Sequence, residues 1–405
     1  MKSYLKAIPA AAGAACLLTG GYLYHMALDA KTDKSSLLKP SPDHIQPDNQ
    51  ALLRHRKALE ESSRLTRQYQ DRYLYSFDNL KLHAYLCMNK KAGNLKQTDT
   101  LAGIDTHAGT DTHAGTDTYA GTDTYAGTDT HTGTDTHAGT DTHTGTDTHT
   151  STDTHTASGS PWVIMVHGYA DSGLWFHEEA LAFYQQGFHL LLPDARGHGK
   201  SQGTYIGMGW HDRLDIISWI HWIIENDSQA EIILYGVSMG AATVMMAAGE
   251  SLPSNVKAAV EDCGYTSAWD VLKYQLKKQF HLPAFPALTC AGLVNFLKNR
   301  YWLKDADAVK CVSRAKIPIL FIHGTEDRFV PFEMSRTLYD ACNSKKEYLA
   351  VEGAAHVKSA MVYGPAYWDK VFRFIGLSSY PIGTILISDV GSAAGGFVGT
   401  GTVTS

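Results

Sequence analysis

From Pro161 onward the chain alternates between two textures. Short apolar runs recur: WVIMV (162–166), FHLLL (188–192), EIILY (231–235), KAAVE (257–261), IPILFIH (317–323) and EYLAV (347–351). Between them lie stretches of helical composition near 174–187, 209–226, 238–250, 331–342 and 365–375. Runs this short, with apolar residues at consecutive positions, read as strands buried on both faces. Strand, helix, strand in regular order predicts a parallel sheet covered by helices on each side. Upstream, YLYS (73–76) and LKLHAYLCM (80–88) add two more strands, the second placing Leu80, Leu82, Ala84 and Leu86 on one face. The pattern predicts an α/β fold of about eight mostly parallel strands over residues 73–375.

Two segments break the alternation. Residues 265–311 contain HLPAFPALTCAGLVNFLKNRYW and read as a helical cap. Its apolar stretch from Phe285 to Leu297 either lines a substrate pocket or packs the cap onto the core. The second is a repeat over residues 98–156, typified by AGTDTHTGTDTH (138–149), whose Asp recurs every six residues from Asp99 to Asp153. A hexapeptide β-helix needs an aliphatic residue in each turn to build a core, and the repeat offers Gly, Thr, Asp, Ala and His. The expectation is a solvated, disordered insertion between the second and third strands. Weak divalent-metal binding by its Asp and His residues is the functional alternative.

The ends differ from the middle. Lys2 and Lys6 precede a nearly uncharged run at 7–28, long enough to cross a bilayer as a helix. Residues 1–30 therefore read as a signal anchor, with cleavage near Leu28-Asp29-Ala30 as an alternative and a lipoprotein at Cys16 as a lesser one. Each places the rest of the chain outside the cytoplasm. Residues 31–72 read as a linker followed by a helix, and residues 376–405, rich in Gly, Ser and Thr, as a loose tail. The six cysteines show no metal-like spacing and read as small core residues, not as a disulfide framework. A net charge of -6 argues against a nucleic-acid partner.

The chemistry concentrates at Gly236-Val237-Ser238-Met239-Gly240, which fits G-x-S-x-G. Serine there sits on a sharp strand-to-helix turn, and residues two away on either side must be small for the turn to close. Gly199-Lys200-Ser201-Gln202-Gly203 fits the same pattern, but no strand runs into it and no helix leaves it. A phosphate-binding loop ending at Ser201 fails too, since Asp194 stands where a Gly is required. A serine hydroxyl needs a base, and the base an orienting acid. Asp327 follows the strand IPILFIH and His356 follows EYLAV, so both join Ser238 at the carboxyl edge of the sheet. Asp262 is the reserve acid and Glu326 a weaker one. The backbone N–H groups of Met239 and Tyr169 are the expected oxyanion donors. His167, Asp194, Arg196 and His198 read as turn-shaping residues.

PWVIMVHGYADSG, LLLPDARGHGKSQG, IILYGVSMGAATVMM, VEDCGYTS, ILFIHGTEDRFVP and GAAHVKS together resemble the α/β-hydrolase superfamily. The likeness is greatest to membrane-anchored bacterial hydrolases grouped with serine aminopeptidase-like and lysophospholipase-like proteins. It covers residues 70–95 and 161–375 and implies Ser238, Asp327 and His356 as a catalytic triad. The repeat and the tail depart from the family. The expectation is a serine hydrolase that needs no metal or organic cofactor. It would cleave a small ester, or alternatively an amide, with an apolar acyl group. The rival from another class is a surface-displayed adhesion or metal-binding protein acting through its repeat.

Overall fold

The computed structural model describes residues 15–35, 37, 52–89 and 160–376, and the backbone alone of residues 4–14, 49–51 and four strands between 104 and 149. The strands are β1 (Gln70–Tyr75), β2 (Lys81–Cys87), β3 (Ile104–Gly115), β4 (Thr118–Gly133), β5 (Thr136–Gly145), β6 (Thr148–His149), β7 (Pro161–Val166), β8 (His189–Asp194), β9 (Glu231–Val237), β10 (Val256–Asp262), β11 (Ile319–Gly324) and β12 (Lys346–Val351). The helices are α1 (Tyr4–Ala27), α2 (Asn49–Thr66), α3 (Glu178–Gln185), α4 (Asp212–Asn226), α5 (Met239–Ala248), α6 (Ala268–Phe280), α7 (Ala287–Asn299), α8 (Ala308–Val312), α9 (Phe332–Ala341), α10 (Ser359–Tyr363) and α11 (Pro365–Phe374).

Eight strands form one sheet in the order β1-β2-β8-β7-β9-β10-β11-β12. β2 runs antiparallel to both β1 and β8, and every pair from β8 to β12 is parallel. The unbroken apolar runs have a simple origin. Successive side chains point to opposite faces, and both faces are covered. On one face Trp162, Ile164, Leu191, Ile232 and Leu234 join a core with α4 and α5. On the other, Val163, Met165, Leu190, Leu192 and Tyr235 join a core with α3 and α11. Truncating a residue such as Ile164, fully buried at the sheet centre, would cost about 2–5 kcal/mol.

Between β10 and β11 stand α6, α7 and α8, as the break in alternation predicts. Ser267 caps α6 by accepting from the Asp270 N–H at 3.0 Å, and Asp307 caps α8 through the Lys310 N–H at 2.9 Å.

The reading of residues 1–30 as a signal anchor draws no support from the described residues. No helix among the described residues is long and apolar enough to cross a membrane. The described end of α1 packs on the cap instead. A Cβ at Gly20 would come within 2.4 Å of the Cys290 carbonyl oxygen, so the two helices touch backbone to backbone. Tyr24 and Leu28 are buried, Asn299 Nδ2 donates to the Tyr24 hydroxyl at 3.0 Å, and the Ile206 N–H donates to the Leu28 carbonyl at 2.8 Å. An apolar helix reads alike in sequence whether its partner is lipid or protein. Cys16 also forms a disulfide with Cys290, so Cys290 is not simply the small core residue it reads as. Cys87, Cys263, Cys311 and Cys342 are free and buried as expected. The linker at 31–46 lies mostly outside the described residues, as does the tail after residue 376.

The repeat also departs from expectation. β3, β4 and β5 pair in parallel, and β6 pairs with β4. Asp105 pairs with Asp123 and Asp123 with Asp141, an offset of 18 residues (123 − 105), which is three hexads. The disordered insertion is therefore a small parallel sheet. An exact repeat can pair with itself in register at any multiple of six. Thr favours extended backbone, and ladder hydrogen bonds do not depend on an aliphatic core.

Candidate active site

β9 delivers its last residue, Val237, into a turn of one residue before α5 starts at Met239. Ser238 is that turn, at φ 57° and ψ −114°. For a non-glycine residue this conformation costs about 1–3 kcal/mol and persists only where surroundings enforce it. They do so by close approach. A Cβ at Gly236 would lie 2.3 Å from the Gly240 carbonyl oxygen, and one at Gly240 would lie 1.8 Å from that of Val166. The Ser238 N–H donates to the Asp262 carbonyl at 2.8 Å, tying the turn to β10.

Asp327 and His356 reach the same edge because the loops that carry them are in contact. A Cβ at Gly324 would lie 2.2 Å from the Ala354 carbonyl oxygen, and the Glu326 N–H donates to that oxygen at 3.0 Å. The distances then follow. Ser238 Oγ lies 2.9 Å from His356 Nε2, and His356 Nδ1 lies 2.7 Å from Asp327 Oδ2. With its proton on Nδ1 the imidazole donates to Asp327 and accepts from the serine hydroxyl. Such a line can pass a proton from oxygen to imidazole.

Asp327 is buried, and its Oδ1 accepts from the N–H groups of Phe329 at 2.8 Å and Val330 at 2.9 Å. Burial alone would raise its pKa. The charge of His356 and the bond from His323 outweigh it and hold the carboxyl well below its usual range. The site therefore keeps an anion beside the imidazole. Of the two reserve acids, Asp262 accepts from Ser359 Oγ and the Tyr367 hydroxyl, each at 2.9 Å. Glu326 is exposed and faces Arg328 at 3.5 Å. Neither of these bonds involves His356.

Met239 opens α5, where a helix leaves its first N–H groups without intrahelical partners. The loop after β7 comes up beside the serine, since a Cβ at Gly168 would lie 3.6 Å from Ser238 Cβ. That loop continues into Tyr169, whose hydroxyl donates to the Ala27 carbonyl at 2.6 Å. Ser201, in the rejected motif, donates instead to the Asp194 carbonyl at 2.6 Å.

Two family models match this region. One, described as alpha/beta hydrolase fold, matches residues 161–282, and one described as serine hydrolase (FSH1) matches residues 233–358. The chain is an α/β-hydrolase. It is 25% identical over 214 residues to the protein YqkD of Bacillus subtilis, a match covering 53% of this chain and 70% of that one. It is 29% identical over 188 residues to Protein ABHD12B of Homo sapiens, covering 45% of this chain and 50% of that one. The match to the human relative thus spans half of that protein's length. The solved esterase Pf2001 of Pyrococcus furiosus superposes with a TM-score of 0.49 at 18% identity, covering 83% of this chain and 98% of that one.

One residue of the hydrolase's site escapes a sequence reading. His323, fully buried near the end of β11, places Nε2 2.9 Å from the Val330 carbonyl and 3.3 Å from Asp327 Oδ2. The available signal was a His inside an otherwise apolar strand, four residues before the acid. The turn-shaping residues have structural partners. His167 Nε2 accepts from the Ala195 N–H at 3.0 Å, and Arg196 grips both carboxylate oxygens of Asp215, at 2.6 and 2.8 Å. Asp194 accepts from the Gly173 and Lys200 N–H groups at 2.8 Å each, and His198 lies near the Arg196 carbonyl at 3.0 Å.

Cys263 Sγ, an Asp327 oxygen and a His356 nitrogen lie within 4.8 Å of one another. The geometry alone would admit a metal ion. The chemistry does not favour one, because burial pushes the Cys263 thiol well above its usual pKa and the other two groups are already bonded together.

The hydrolase's cavity opens at Ser238 and has a volume of about 100 Å³. Leu272, Leu276 and Phe280 of α6 line it, with Leu288 and Ala291 of α7. Leu23, Met26 and Leu28 from the N-terminal segment complete a wall. The stretch from Phe285 to Leu297 takes both roles expected of it, Leu288 and Ala291 lining the cavity and Val294 packing into the core, while Phe285 and Leu297 do neither and face outward.

Proposed function

We propose that the hydrolase cleaves carboxylic esters bearing an apolar acyl group, through an acyl-enzyme on Ser238. One observation carries this reading: the hydrogen-bonded line Ser238–His356–Asp327 ends in a serine that itself lines an apolar cavity. Ser238 Oγ attacks the ester carbonyl carbon while His356 Nε2 takes its proton. The Asp327 carboxylate holds the ring and stabilises the imidazolium. Negative charge gathers on the carbonyl oxygen, where the N–H groups of Met239 and Tyr169 receive it; each such donor is typically worth about 10²–10³ in rate. Collapse expels the alkoxide, which takes the proton from His356 and leaves as the alcohol. Water, deprotonated by His356, then attacks the acyl-enzyme, and collapse releases the acid while the proton passes from His356 back to Ser238 Oγ. Amides are open to the same route, with His356 protonating the departing amine.

A fluorophosphonate probe should label the wild type and fail to label Ser238→Ala, whose ester turnover should fall by at least about 10³-fold. Labelling that persists in the variant would refute the assignment. Across p-nitrophenyl esters, octanoyl should be preferred over acetyl, and a p-nitroanilide arm measures amide cleavage on the same scale. The Cys16–Cys290 disulfide further supports residence in an oxidising compartment outside the cytoplasm. Cell fractionation with non-reducing electrophoresis checks that point. Adhesion or metal binding through the repeat draws no support from the matched families.

A further inference from the structure

Between Val271 and Lys304 the chain carries Lys273, Lys277, Lys278, Lys298, Arg300 and Lys304 and no Asp or Glu, within a protein of net charge -6. This basic stretch is the cap. Helix α6 divides it into two faces by its period. Leu272, Gln275, Leu276 and Gln279, spaced i, i+3, i+4, i+7, line the cavity. Lys273, Lys277 and Phe280, spaced i, i+4, i+7, are exposed. Phe280 belongs to both, being 39% exposed and also part of the cavity lining, so it stands at the mouth. The chain runs on from it through Leu282, 44% exposed, and Phe285, 76% exposed. Large apolar side chains at the mouth of an apolar cavity, on a helix whose outer face is cationic, match a surface with anionic headgroups over hydrocarbon.

We propose that the cap docks on an anionic lipid surface, with the lysines of α6 on the headgroups and Phe280, Leu282 and Phe285 in the acyl boundary. The cavity mouth then faces the bilayer. This goes beyond the esterase reading and does not depend on Ser238. A protein with net negative charge would be repelled from such a surface as a whole, so a local cationic face sets the orientation of approach.

The test is co-sedimentation of the full chain with vesicles of phosphatidylcholine, alone or mixed with phosphatidylglycerol, at low and at physiological salt. The chain should bind the mixed vesicles and bind them less well as salt rises. Lys273→Glu/Lys277→Glu should lower partitioning by about ten-fold or more. Phe285→Ser should also lower it, and both variants should hydrolyse a short soluble ester like the wild type. Equal binding to the two vesicle types, or binding indifferent to both variants, would overturn the proposal. So would failure to sediment, whether or not the chain then runs as a dimer with its cap covered by a second copy. Loss of probe labelling would sink the esterase reading and leave this one standing.

Discussion

At the scale of single residues, the site rests on side chains and glycines that have no substitutes. Gly240 lies against the Val166 carbonyl so closely that a Cβ would sit 1.8 Å away. Gly240→Ala should therefore destabilise the fold by roughly 3 kcal/mol or more, which urea denaturation would measure. His323 invites a finer test. It bonds to Asp327 and does not touch the serine, so it acts as a positioning residue. Removing it takes away a group that holds the Asp327 carboxyl down. In His323→Ala, kcat should fall by about ten-fold with KM unchanged. His323→Gln, which keeps a donor, should recover part of the loss. A kcat unchanged in His323→Ala, or a loss that His323→Gln does not rescue, would show that His323 only fills space. Ser238, Asp327 and His356 could be read from sequence because each stands in the short loop or turn that leaves a recognisable strand. His323 could not, because it sits within the apolar run of β11 and no spacing rule ties it to a serine.

At the scale of elements, the two faces of the sheet were legible in its apolar runs, and the cap in the break between β10 and β11. Register within the repeat was not, since a period of six is compatible with any multiple of six. The observed offset of 18 gives a specific expectation. Deleting residues 118–135, one full offset, keeps every pairing class intact and should leave folding and ester turnover unchanged. Deleting a number of residues that is not a multiple of six should lower the strand content seen by circular dichroism. Equal spectra for the two deletions would count against the parallel pairing. α1 is ambiguous for a different reason. Its composition records that it is buried against something apolar, and not whether that partner is lipid or the cap.

At the scale of the whole molecule, buried titratable groups set how stability varies with pH. Burial pushes Glu261 up to about 8, an effect that His323 only partly offsets, and raises Asp262 beside it. The folded form keeps a proton on Glu261 that the unfolded chain releases above about 4.5. That contribution is whole below 4.5 and is lost as pH climbs to about 8. Burial drives His167 down to about 3 and His189 down to about 4. Unfolding lets both take up protons below 6.5, so their contribution is whole above 6.5 and is lost as pH falls toward 4 and 3. The two trends oppose each other only between 4.5 and 6.5, which places the maximum of Tm in that window. Glu261→Gln should lessen the fall on the alkaline side, part of which remains because burial also pushes Glu179 up to about 8, and a wild-type Tm still rising at pH 8 would contradict the account. A mostly parallel sheet of about eight strands and the meeting of three side chains at one edge could be foreseen because each step is local or follows the rules of parallel sheets. The link between Cys16 and Cys290, 274 residues apart, could not, since no local pattern announces it. The contribution of Leu23, Met26 and Leu28 to the cavity wall has a bearing on maturation. A protease cutting near Ala30 would leave that wall tethered to the cap through Cys16 and Cys290, so only a cut followed by reduction would open the chamber and redraw the range of substrates.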